Sequence, residues 1–312
     1  MRLLLNFPIV GRWPILMGIE HENIHLETSS AIFRQVPLDM IAPSADFPVC
    51  RLDCSTVPQN ELLDIPATTV FYNKQHEDGR VYGWDNEYGS KVAEVPAFKA
   101  SKFLVSNAEF LEFVADGGYE RQELWTAEGW TWATYADAKH PKFWGKDGDA
   151  WTLRCLAEAV EMPWSWPVVV NQLEAKAFCN WKSAATEKTI RLPSEDEWYA
   201  LRRLGESAAG AAAVDQPDWA VAPGNINLEH FASECPVDKF EFQDTGFYDV
   251  IGNVWQWTES PIDALPGFEV SGLAGIVAMD RKVIFLQVAL LCPHCIALSV
   301  DWYDLTSTSP FE

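Results

Sequence analysis

The chain has 312 residues, 45 acidic against 23 basic side chains, and a net charge of −22. That balance excludes nucleic acid and argues against an anionic membrane as a partner. A hydrophobic content of 48% against 22% charged residues describes a folded globular protein. Fifteen tryptophans are present, and thirteen lie between Trp84 and Trp257, which predicts one Trp-rich domain over most of the chain. Seven cysteines without a dense regular framework fit a reducing, cytoplasmic compartment better than a secreted disulfide scaffold. The opening Met1-Arg2-Leu3-Leu4-Leu5 is not read as a signal peptide, because Pro8 and Arg12 interrupt any apolar core.

In chain order, residues 13–34 read as one helix, with apolar residues at Ile15, Leu16, Ile19, Ile24, Leu26 and Ile32 and Pro14 in the first turn. From Pro37 to Pro66 five prolines break any pattern, so this stretch is expected to be a linker or an extended wrap. Beyond it, strands are expected at 68–72, 91–98 and 168–170. A helix over 106–115 has Ser106 as N-cap and Glu109 three residues on. Another over 171–184 places Leu173, Ala177, Phe178 and Trp181 on one face. Ser194 caps a third, through Arg203. Short strands, long loops and many tryptophans predict an α+β domain. The uncharged run 283–300 has the length of a membrane helix, but Gln287, Pro293 and His294 and weakly basic flanks argue for a buried element instead.

The sharpest chemical signal is His21-Glu22-Asn23-Ile24-His25-Leu26-Glu27. His21 and His25 stand four apart on the predicted helix, so both imidazoles reach one metal ion. Glu27 is about 200° around the helix from His25, better suited to an indirect role or to the packing surface. The spacing also matches the His-Glu-x-x-His pattern of zinc peptidases, although His76, His140 and His230 offer no familiar third ligand. A third reading is two histidines of no function on a helix. Downstream, Gly252 permits close backbone approach, and Trp255 and Trp257 alternate with Gln256. The tryptophans fit core packing, whereas Asn253 and Gln256, with Trp255 beside them, are candidates for substrate contact.

The His21-x-x-x-His25-x-Glu27 segment, with Thr28-Ser29-Ser30 and Arg34-Gln35 after it, resembles the iron-binding segment of the 5-histidylcysteine sulfoxide synthases of ovothiol biosynthesis. These and their ergothioneine-pathway relatives join a DinB-like four-helix domain to a formylglycine-generating-enzyme-like, C-type-lectin-like domain. Further motifs resemble that second domain: Arg80 through Glu87, Phe103 through Phe110, Pro167 through Trp181, Arg191 through Trp198, and Gly252-Asn253-Val254-Trp255-Gln256-Trp257. The resemblance implies the last helix of a DinB-like domain over 1–36, a linker over 37–66, a sulfatase-modifying-factor-like domain over 67–270 and a divergent tail over 271–312. It implies Fe(II) as cofactor, His21 and His25 as two of three histidine ligands, and histidine, cysteine and O₂ as substrates. The third ligand and the family's C-terminal tyrosine strand have no counterpart, so a fragment is expected. Cys292-Pro293-His294-Cys295 has no second pair, and formylglycine generation, which needs paired cysteines further on, is not expected. The competing function is a catalytically inactive lectin-like module that binds a ligand or partner through its Trp-rich loops; an ergothioneine-type synthase, which uses a trimethylated histidine, is a further alternative within the resembled family.

Overall fold

The computed structural model describes residues 9–52, 55–74, 88–209, 224–226, 230–261 and 265–266. Helix α1 spans Ile9–Phe33, so it starts four residues before the predicted boundary. Pro14 therefore lies inside the helix, where its ring forfeits one ladder bond instead of occupying the first turn. Pro37 caps the short 3₁₀ turn Leu38–Met40, and the chain then wraps along the domain. This wrap is structured: Cys50 enters the main core, and Asn60 bonds the backbone of Phe103 in both directions.

Three small antiparallel sheets follow. Strand β1 (Leu62–Ile65) pairs with β4 (Phe98–Ser101), and β2 (Thr68–Lys74) with β3 (Gly89–Val95). The run 91–98, expected as one strand, is thus two, broken at Pro96, which has no N–H for the ladder. Strands β5 (Trp144–Asp147), β6 (Ala150–Arg154) and β7 (Ala159–Glu161) form a meander that the sequence reading missed. Its first turn is Gly148-Asp149, with Gly148 at φ +60°, a two-residue hairpin loop whose Gly tolerates the positive φ. The expected strand at 168–170 does not form. Pro167 makes an isolated bridge to Ser106, Val168 donates to the Val105 carbonyl, and Asn171 then starts a helix.

The helices follow their caps. Ser106 Oγ accepts from the Glu109 N–H at the start of α2 (Asn107–Ala115). The Glu109 carboxylate, however, accepts from Asn60 and pairs with Lys182. Helix α3 (Ala127–Tyr135), which was not anticipated, is capped by Thr126. Both halves of a capping box are present at α4 (Gln172–Thr186), where Asn171 and Glu174 exchange bonds of 2.9 and 2.8 Å. Ser194 and Glu197 make the same exchange at α5 (Glu195–Ala209), and Arg191 clamps Glu197 with both terminal nitrogens.

Tryptophan and phenylalanine build the core. Phe110, Phe113, Trp125, Trp144, Trp166, Phe178 and Trp181 are buried together with Leu153, Cys155 and Cys235. Phe113 contacts Phe110, Tyr119, Trp125, Phe178 and Trp181 edge-on or tilted, the arrangement aromatic quadrupoles favour. Three polar tips in this core find partners: Trp125 Nε1 donates to the Gly118 carbonyl, Trp181 Nε1 to Asp116 and the Tyr119 hydroxyl to Glu174. Among the described residues, no helix is long and apolar enough to cross a membrane. The 80–87 motif and all of 271–312, including Cys292, Cys295 and the uncharged run 283–300, lie outside the described residues.

Candidate functional site

Helix α1 turns its faces the opposite way to an ordinary amphipathic helix. Glu27, Ser30, Ala31 and the following Arg34 are buried, while Ile15, Ile19, Leu26, Ile32 and Phe33 are exposed. His21 and His25 project from one side, His25 exposed and His21 half-buried. Their Nε2 atoms are 2.7 Å apart and their ring centroids 4.5 Å apart. At this distance the two rings hydrogen-bond to each other; on one side of a helix and one turn apart, neutral rings can instead both turn to a single transition-metal ion. Among the described residues no group of three His, Cys, Asp or Glu side chains gathers to hold a metal.

Glu27 lies on the buried face, 7% exposed, away from the imidazoles. Ser30 Oγ donates to its carbonyl, which tightens this turn of the helix. The C-terminal end of α1 is fastened by Arg34, which the sequence reading quoted only as part of a motif. Arg34 Nη1 donates to Glu234 Oε1 at 2.8 Å, with both side chains buried. Arg34 Nε also donates to the Arg154 carbonyl, and the guanidinium stacks over the Phe143 ring at 4.1 Å. Arg154 returns a bond to the Val36 carbonyl.

The 249–257 loop holds the other candidates. Asn253 is buried at φ +64°, a conformation asparagine tolerates. Its Oδ1 accepts from the Cys235 N–H, and its Nδ2 donates to the Cys235 carbonyl and to Asp249 Oδ2. Gln256 Nε2 donates to the Asp249 carbonyl at 2.7 Å. Gln256 thus holds the loop's own backbone, and Asn253 ties the loop to the Cys235 backbone and to Asp249. A Cβ on Gly252 would meet Ile226 at 2.8 Å and the Asn225 backbone, which is the close approach the sequence predicts. Trp257 Nε1 donates to the Val170 carbonyl, and Trp255 is half-buried. The segment carrying Glu234 and Cys235 links the end of α1 to this loop.

Burial dominates the electrostatics. The Asp249 carboxyl is raised well above the usual carboxylate range by desolvation, against the bond from Asn253. Cys155 and Cys179 are each pushed up to about 12, first by burial and then by Glu234 and Glu259 respectively. Cys235 is raised further by burial and by Asp249. These thiols, like Cys50, are buried and unbridged, so they are packing groups and not nucleophiles. A separate cleft of about 140 Å³ opens between the wrap and the β6–β7 turn, lined by Ile41, Pro43, Phe47, Val49, Leu156 and Glu158. Arg51 already pairs with Glu158 there at 2.6 Å.

A mixed helix-and-sheet domain with irregular, aromatic-packed loops defines the class. The model for the sulfatase-modifying factor enzyme 1-like domain matches residues 53–283, and the chain belongs to that family. The hercynine oxygenase of Mycolicibacterium thermoresistibile is 32% identical over 201 residues, covering 60% of this chain and 41% of that protein. The inactive C-alpha-formylglycine-generating enzyme 2 of Mus musculus is 25% identical over 245 residues, covering 67% and 72%. The formylglycine-generating enzyme of Bos taurus is 25% identical over 239 residues, covering 64% and 58%. The structure of PvdO from Pseudomonas aeruginosa overlaps at a TM-score of 0.44 and 18% identity, covering 67% of this chain and 77% of that one. The chain spans about two-fifths of the length of the hercynine oxygenases it matches.

Proposed function

We propose that this chain carries part of a non-haem Fe(II), O₂-dependent sulfoxide synthase of the ovothiol type. The reaction joins the sulfur of cysteine to an imidazole carbon of histidine. It balances without an external reductant: the S–H and C–H bonds are lost, a C–S bond and an S=O bond form, and O₂ ends as the sulfoxide oxygen and one water. Fe(II), when bound, supplies the one-electron chemistry that triplet O₂ requires and a site for the soft thiolate.

The observation that carries this reading is the 2.7 Å convergence of His21 and His25 on an exposed side of α1. Family membership and the relatives called hercynine oxygenase support the coarser part of it, an oxygenase-type enzyme; the choice of histidine over hercynine as substrate is the proposal's own. Within it, the two imidazoles hold part of the metal's ligand set, and a further ligand comes from outside the described residues. Glu27 acts indirectly, by anchoring the helix face opposite the imidazoles. Asn253 and Gln256 shape the 249–257 loop, and Trp255 offers a partly accessible ring to the substrate.

The test is O₂ uptake after anaerobic Fe(II) loading, with cysteine and histidine supplied together and separately. Uptake that needs both substrates, with a product heavier than their sum by one oxygen less two hydrogens, supports the reading. The second reading is an inactive ligand-binding module. It is favoured by the closed bonding of both loop amides and by the relatives called inactive formylglycine-generating enzyme 2. No uptake, together with retained binding of either substrate, would establish it.

A further inference from the structure

The helix that carries the histidine pair and the loop that carries Asn253 and Gln256 are separate in sequence. They are nevertheless clamped to two consecutive residues. Glu234 holds Arg34, directly after α1, and Cys235 exchanges two backbone bonds with the Asn253 amide. Asn253 then reaches Asp249, whose carbonyl holds Gln256. A continuous run of buried bonds therefore leads from the end of α1 to the loop, through residues that are each at most 3% exposed up to Asp249.

We propose that Arg34 is a positioning residue, and that the Arg34–Glu234 pair fixes the position of the metal-binding face of α1 relative to the domain that carries α3 and the 249–257 loop. This deepens the function proposed above and rests on its assignment of the histidine pair. The physical argument concerns geometry and not stability. A buried ion pair contributes little net stability relative to a well-packed apolar pair, because desolvation offsets the attraction. It does impose direction. The planar guanidinium is fixed at once by the Glu234 carboxylate, the Arg154 carbonyl and the Phe143 face, so the helix has one docking angle. An apolar substitute would fill the same space without that constraint. A misplacement of about 1 Å between a metal and its substrate is enough to cost most of a rate.

The experiment reads geometry directly, without turnover. Cu(II) chelated by His21 and His25 is one spin centre. The second is Cu(II) on a pair introduced by Thr131→His and Tyr135→His, both exposed and one turn apart on α3. Dipolar spectroscopy gives the distance distribution between the two. With Arg34 and Glu234 in place, one narrow distance is expected. In Arg34→Met/Glu234→Leu, the melting temperature stays within a few degrees while the distance broadens or moves by about 1 Å or more. Should that variant fail to fold, Arg34→Lys decides in the same way, since lysine keeps the charge but loses the carbonyl bond and the ring stack. An unchanged narrow distance in either folded variant, or a broad one in the starting protein, overturns the proposal. Failure to form a sulfoxide in the assay above would leave this measurement unaffected.

Discussion

Helices α1 and α4 make an instructive pair. Helix α4 begins with a complete capping box and buries Ala177, Phe178 and Trp181 in the aromatic core. Helix α1 is longer, buries Glu27, Ser30 and Arg34, and leaves Ile15, Ile19, Leu26, Ile32 and Phe33 in solvent. The first exists to build the domain. The second is held to the domain by polar bonds at one end and leaves apolar side chains and the exposed His25 facing outward. A helix serving the core is broken by losing apolar volume, whereas α1 should be almost indifferent to it.

That contrast yields graded expectations. Phe113→Ala removes a fully buried ring touched by five other aromatic residues and should cost about 3–5 kcal/mol in urea unfolding. Arg34→Met alone leaves Glu234 buried without its cation and should cost about 3 kcal/mol, most of which Glu234→Leu restores. Asp249→Asn should act in the opposite direction. Its carboxyl is raised on folding, so its favourable contribution is complete below the unfolded value near 4 and is lost as pH rises through the folded value. The variant should therefore be more stable than the parent by about 1–3 kcal/mol at pH 7, with the gap closing towards pH 4 in paired thermal melts. Asn171→Ala removes the α4 cap and should cost about 1 kcal/mol. Leu26→Ala on the outer face of α1 should change unfolding by less than about 0.5 kcal/mol.

What could be read from the sequence was local. Ser106, Asn171 and Ser194 each announce a helix because a short acceptor before a run of helix formers satisfies orphan N–H groups, and each does so here. The histidine spacing likewise fixes which side of α1 the rings share. Elements that depend on distant partners were not legible. Val168–Val170 has strand composition, yet Pro167 before it and the cap after it leave room for one ladder bond. The β5–β7 meander was missed although Asp147-Gly148-Asp149 carries a hairpin turn signal. The roles of Asn253 and Gln256 depend on Cys235 and Asp249, which no spacing relates to them. Arg34 was equally opaque, because its partner stands 200 residues away.

The proposed function turns on whether His21 and His25 hold a metal. The most direct measurement is Fe(II) bound per chain after anaerobic reconstitution, for the parent and for His21→Ala, with a melting curve of each. About one iron per chain is expected in the parent, none in the variant, and matching melting curves, since His21 is not a core residue. An iron-free parent, or a variant that retains the parent's iron, would contradict that function.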